Sequence, residues 1–280
     1  MNKTVLMLAL VSFLTLGLVT SNSYASGPAG RMGFKMFDSF DLIGAPVKDS
    51  HGEPLGIVDE VRVDSGGHAF ARVIHGSPDL YFYREACINT PTPFEELQIS
   101  QINAGQVTGD LITDMEHLDF VPYFNPTKTD SLQYRANTYG YCYGIQPYWN
   151  QSGSAGKSEF MEFNSSNLVG AAVEDSCGKV VGIVNEVMVD SGGHAFAVIN
   201  HGDYDLYGES GVNTPVPFEE IRISQRRGGQ DIVFLKTDME HLDFAPYLDP
   251  TKTNNRQYEA KIYEYYGIQP YWRENGARAK

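Results

Sequence analysis

A stretch of 35 residues, 42–76, returns at 168–202 with 23 identities, and this internal duplication constrains the fold more than any other feature. Leu42-Ile43-Gly44-Ala45 returns as Leu168-Val169-Gly170-Ala171, an offset of 126. Further on, Asn89-Thr90-Pro91-Thr92-Pro93-Phe94-Glu95-Glu96 returns as Asn213-Thr214-Pro215-Val216-Pro217-Phe218-Glu219-Glu220, and residues 113–129 match 237–253 at 14 of 17 positions. Both copies end in Tyr-Gly-Ile-Gln-Pro-Tyr-Trp, at 143–149 and 266–272. Chance does not produce such agreement, so the chain is a tandem of two copies. A 280-residue chain fits two domains of roughly 150 residues each, and each copy is too long for a solenoid repeat. The boundaries that follow are a leader over 1–25, an N-terminal linker over 26–38, copy one over 39–149, a Gly/Ser-rich linker over 150–164, copy two over 165–273 and a tail over 274–280.

Within a copy the periodicity is that of strands. Ala45 to Asp49 reads as a short strand, turned at Ser50-His51-Gly52-Glu53. Apolar residues at 55, 57, 61 and 63 then repeat mostly every second position, which gives a strand with one buried face. Asp64-Ser65-Gly66-Gly67 is a hairpin turn, because glycine accepts positive φ without a Cβ clash, and His68 to His75 is the return strand. Phe94, Leu97 and Ile99 mark another strand, turned at Asn103-Ala104-Gly105 into Leu111-Ile112. Thr113-Asp114-Met115-Glu116, repeated as Thr237-Asp238-Met239-Glu240, has the form of a capping box opening a short helix. A longer helix is expected over 132–143 and over 256–266, with Tyr258, Ile262 and Tyr265 on one face and Gly144 and Gly267 as C-terminal caps. The expected fold is mainly β: two small antiparallel barrels in tandem, each followed by short helices.

This order of elements resembles the PRC-barrel domain. The opening Leu42-Ile43-Gly44-Ala45-Pro46-Val47 and the strand Leu55-Gly56-Ile57-Val58-Asp59-Glu60-Val61 carry the resemblance. So do the glycine hairpin 64–67, the strand start Thr92-Pro93-Phe94-Glu95-Glu96-Leu97 and the stretch 118–126, with similar matches in copy two from Leu168 to Pro250. A Gly-rich loop common in the family is replaced by Gly76-Ser77-Pro78-Asp79-Leu80 and by Gly202-Asp203-Tyr204-Asp205-Leu206. The resemblance implies a non-catalytic assembly module with no catalytic residue set and no cofactor.

The chain carries 21 Lys+Arg against 35 Asp+Glu, a net charge of −14, with no basic cluster denser than Arg226-Arg227. A polyanion would be repelled, which disfavours nucleic acid as a partner. Lys3, an uncharged run from Val5 to Thr20, and small residues at Ser23 and Ala25 have the layout of a signal peptide cleaved after Ala25. As a helix that run reaches about 24 Å, short of a ~30 Å hydrocarbon core, so a membrane enters only if the leader stays uncleaved. The expected location is a bacterial periplasm or the exterior. Cys87, Cys142 and Cys177 are an odd number, compatible with one disulfide and a free thiol or with none, and no CxxC spacing points to zinc.

The candidate groups are few. His68, His75 and His117 return as His194, His201 and His241, and three imidazoles per copy could hold a divalent metal. Against that, His68 and His75 are seven residues apart and point to opposite faces of a regular strand. Asp114, Glu116 and Asp119, with Asp238, Glu240 and Asp243, form acidic clusters more simply explained by helix capping and dipole than by acid–base catalysis. No nucleophile elbow, P-loop or dinucleotide fingerprint occurs in the sequence. Tyr148, Trp149, Tyr271 and Trp272 would make partner hot spots if exposed, and would otherwise seal the open end of each barrel. The expected function is an exported, non-enzymatic interaction module docking on an unidentified protein or envelope complex; the alternative is a metal- or small-ligand-binding protein using the repeated histidines.

Overall fold

Asp-Ser-X-Gly occurs four times in the chain, and each occurrence folds into the same turn. The computed structural model describes residues 35–75, 88–103, 106–112, 161–202, 211–224 and 231–272. The four turns start at Asp49, Asp64, Asp175 and Asp190. In each, the glycine N–H donates to the aspartate carbonyl, and Gly52, Gly67, Gly178 and Gly193 take φ of +79° to +84°. The aspartate Oδ1 accepts two more backbone N–H groups, two and four residues on, at 2.8–3.0 Å. A short acceptor side chain followed by a left-handed glycine therefore defines these hairpins locally.

The strands of copy one are β1 (Met36–Asp38), β2 (Pro46–Lys48), β3 (Pro54–Asp64), β4 (Ala69–His75), β5 (Ile88–Pro93), β6 (Leu97–Asn103) and β7 (Gln106–Leu111). Copy two repeats them as β8 (Glu162–Asn164), β9 (Ala172–Glu174), β10 (Val180–Asp190), β11 (Ala195–His201), β12 (Val212–Pro217), β13 (Ile221–Ser224) and β14 (Ile232–Leu235). Helix α1 (Ser39–Leu42) follows β1, and α2 (Ser165–Leu168) follows β8; α3 (Met239–Asp243) and α4 (Arg256–Tyr265) close copy two. The main path of one sheet runs β5-β4-β3-β2-β7-β6, and that of the other runs β12-β11-β10-β9-β14-β13. Within each path only β2–β7 and β9–β14 pair in parallel. Of the face expected on β3, Leu55, Val61 and Val63 are buried, but Ile57 is exposed and Val58 buried in its place, because the register shifts between Val58 and Glu60; β4 and β11 are buried along nearly their whole length, and both sheets feed one core.

The first strands do not join their own copy. β1 pairs with β10 of copy two, and β8 pairs with β3 of copy one. Phe37 sits opposite Val189 and Phe163 opposite Val63, and both phenylalanines are buried, a burial worth about 2–3 kcal/mol each. A backbone bridge joins His68 to His194, flanked by Ala69 N–H donating to Gly193 O at 2.7 Å and Ala195 N–H to Gly67 O at 2.8 Å. The two copies are thus interlocked by a reciprocal exchange with approximate two-fold symmetry.

Several local expectations are corrected. The strand expected from Phe94 starts only at Leu97, because Phe94–Glu96 form a 3-10 turn; β5 precedes it as an edge strand bonded, among the described residues, to β4, a position that tolerates Pro91 and Pro93. Helix α3 is capped by Asp238, whose Oδ1 accepts the His241 N–H at 2.9 Å, one residue later than the capping box places it. The buried stripe of α4 is Tyr258, Glu259, Ile262 and Tyr263, with Tyr266 just beyond its end, while Tyr265 lies at the margin. Gly267, at φ +70°, follows that helix as expected. The leader, most of the inter-copy linker, the copy-one box 113–116 and the helix expected at 132–143 lie outside the described residues. No helix among the described residues is long and apolar enough to cross a membrane.

Candidate functional site

Near the approximate two-fold axis, several ionisable groups of the described residues come together. His68 and His194, each the first residue after an Asp-Ser-Gly-Gly turn, face one another across the copies with ring centroids 4.9 Å apart. Their own turns supply Asp64 and Asp190, both fully buried. The 3-10 turns Phe94–Glu96 and Phe218–Glu220 cross over to the opposite copy. A Cβ on Gly67 would stand 3.2 Å from Phe218 Cβ and from Glu219 Oε2; one on Gly193 would stand 3.0 Å from Phe94 Cβ and 3.4 Å from Glu95 Oε2. These two glycines are therefore required twice, for positive φ and for close approach. From α4, the Glu259 carboxyl lies against Asp190.

Identical residues in the two copies acquire unlike protonation. Burial opposes charge on His68, but Asp64 at 3.7 Å, with Glu95 and Glu219 behind it, outweighs that and raises its pKa. Burial and the neighbouring His68 charge hold His194 well below the ordinary imidazole range, and Tyr271 stacks on it at 3.7 Å and 9°. The Asp190–Glu259 pair cannot ionise twice in a buried setting. Asp190 Oδ1 already receives the Gly192 and His194 N–H groups, so the proton rests on Glu259, which burial and Asp190 push far upward. Burial also raises Glu219 to about 7, since its Oε2 is shut from solvent without a hydrogen-bond partner.

Glu219 therefore holds a proton in the native chain that the unfolded chain releases above about pH 4.5. Its contribution is complete below that pH and is lost as pH rises through about 7. Glu219→Gln is expected to gain about 1–2 kcal/mol on the wild type between pH 5 and pH 8, the full shift being discounted for partial exposure. Urea denaturation at the two pH values checks it; parallel pH profiles for the two proteins would refute it.

The remaining sequence candidates scatter. His75 is buried at the far end of β4 from His68. His201 Nε2 lies 2.8 Å from Thr214 Oγ1, and its Nδ1 lies 3.3 Å from Asp243. This has the hydroxyl–imidazole–carboxylate order of acyl-transfer enzymes, but Thr214 is 1% exposed, so the hydroxyl cannot meet a substrate. His241 packs on Tyr265 with centroids 4.6 Å apart. Among the described residues no group of three or more His, Cys, Asp or Glu side chains is placed to hold a metal ion. Tyr271 covers the 190–193 turn, where a Cβ on Gly192 would meet its hydroxyl at 2.0 Å. Trp272 packs edge-on against Tyr263 and under Arg256, at 5.7 Å and 5.0 Å. His117, Tyr148, Trp149, Cys87 and Cys142 lie outside the described residues; Cys177 is an exposed free thiol in the β9–β10 turn. Comparing His68 with His75 inside one copy hid the contact that matters, which joins His68 to its own duplicate. The shared Asp-Ser-Gly-Gly-His ending of both turns was the available signal.

Residues 161–242, from the start of β8 to the last turn of α3, match the family model for the PRC-barrel domain. The sheet of copy one has the same strand order and the same single parallel pair as the sheet in that segment. A search of curated proteins returns no match.

Proposed function

Starting from a PRC-barrel domain over copy two, we propose that the chain is an exported, non-catalytic protein-interaction module of the cell envelope. The family match at 161–242 carries this reading. The signal-peptide layout of residues 1–25 supports export. Among the described residues, the groups that would suggest chemistry serve as turn acceptors, copy-to-copy contacts and a His201 contact to the buried Thr214, which favours a module that presents surface. The interlocked copies would present that surface as a fixed pair, in place of two barrels on a flexible string.

Phe244 and Tyr247 are 75% and 63% exposed and flank the end of α3, which makes them the best contact candidates on copy two. Crosslinking of the tagged full-length chain in a periplasmic fraction is expected to capture one stoichiometric partner, lost in the Phe244→Ser/Tyr247→Ser variant. A monomer that captures nothing, or a partner retained by the double variant, counts against the reading.

A further inference from the structure

The two strand-exchange seams are equivalent by duplication but carry opposite charge chemistry. In the β8–β3 seam, Arg62 donates from Nε to Glu162 at 2.9 Å and from Nη1 to Glu60 at 2.8 Å, and Asn164 Nδ2 donates to Glu60 at 2.9 Å. Arg72 adds a contact to Glu60 at 3.3 Å and another to Asp59. Shifted by 126 residues, the β1–β10 seam keeps only the acid: Glu186 replaces Glu60, while Met188 and Val198 replace Arg62 and Arg72. Asp38 replaces Asn164, and Met36 replaces Glu162. A carboxyl therefore meets a carboxyl where the other seam has an amide and an arginine. We infer that the β1–β10 seam is a proton-dependent latch: a proton on the Asp38–Glu186 pair holds β1 on copy two, and its loss weakens that hold.

Among the described residues, the groups that act on Glu186 are themselves acidic. β1 brings Asp38 to Glu186, α1 adds Asp41, β11 sets Val198 opposite and β10 itself adds Met188. Lys35 has its ammonium over the Phe37 ring at 5.0 Å. Burial raises Asp38 too, but its Oδ1 accepts the Phe40 N–H at 3.0 Å, capping α1, which opposes that rise and leaves the shared proton to Glu186. Burial, then Asp38 and Asp41, push Glu186 up to about 7. The latch is therefore closed in mild acid and weakens as pH rises from about 4.5 through 7. Like-charge contact across paired strands acts in the same sense.

Hydrogen exchange on the full chain tests this, because β8 in its arginine seam is an internal control for β1. After correction for intrinsic rates, protection of the β1 amides and of Met188 to Asp190 is expected to fall by about tenfold or more from pH 5 to pH 8. The β8 amides should stay within about twofold. Glu186→Gln should leave β1 protection independent of pH, and Met188→Arg, which imports the arginine of the other seam, should do the same. Equal pH response in both seams, no response in β1, or a response that survives in both variants would overturn the latch.

Discussion

Gly182→Ala is expected to destabilise the chain by at least about 3 kcal/mol, seen as a large drop in the urea midpoint. The cause is space and not dihedral angle. A Cβ at Gly182 would stand 2.2 Å from the carbonyl oxygen of Asn200 and 3.1 Å from its carbonyl carbon. In copy one the same atom on Gly56 would stand 2.0 Å from Ile74 O. Both obstacles are backbone of the neighbouring strand, so no rotamer change relieves them. β10 and β11 would have to separate where Gly182 faces His201, just before the register shift between Val184 and Glu186. Overpacking in a core costs about 1–3 kcal/mol, and each ladder hydrogen bond lost adds about 1 kcal/mol. Gly178→Ala is the control. Its φ is +79° with nothing within 4 Å of a Cβ, so it should cost only about 1 kcal/mol. If the two substitutions cost the same, the close approach at Gly182 is wrong.

Arg62→Met should cost about 3 kcal/mol, because it leaves Glu162 charged and buried without its partner. The Glu162 side chain is only 3% exposed, and its salt bridge to Arg62 Nε crosses the seam between the copies. Arg62 itself keeps some contact with water, which places the loss at the lower end of the range for broken buried pairs. The double variant Arg62→Met/Glu162→Met should recover most of the loss. It reproduces the residues that the β1–β10 seam already uses, Met188 and Met36, and apolar replacement of a whole buried pair is often close to neutral. A double-mutant cycle by chemical denaturation reads the coupling directly. A single-variant cost below about 1 kcal/mol would show that the pair is solvated and adds little to the seam.

What could be read from residues alone was what is decided over a few neighbours. The duplication, the turns and the long hairpins β3–β4 and β10–β11 follow from identity at fixed offset, from Asp-Ser-X-Gly and from period-two alternation. The Gly267 stop of α4 is equally local. Residues 88–93 were not read as a strand, and a proline-bearing segment forms one only at a sheet edge, a property of the sheet and not of the segment. Tyr263 was hidden because the stripe that α4 buries is chosen by what it packs on.

The site lay further out of reach, because it is made between the copies. Met36-Phe37-Asp38 and Glu162-Phe163-Asn164 correspond at the 126-residue offset, but reading the sequence left both inside linkers, 26–38 and 150–164. Nothing local says whether such a strand pairs with its own copy or the other, since the apolar alternation of both edges is alike. The tertiary structure decided it, placing β1 on β10 and β8 on β3. Once that pairing is made, His68 must meet His194 and Glu186 must meet Asp38. The sequence by itself determined two copies of one β unit with specified turns; the choice of partner edge, and with it every charge contact at the axis and the seams, came from long-range packing between near-identical surfaces.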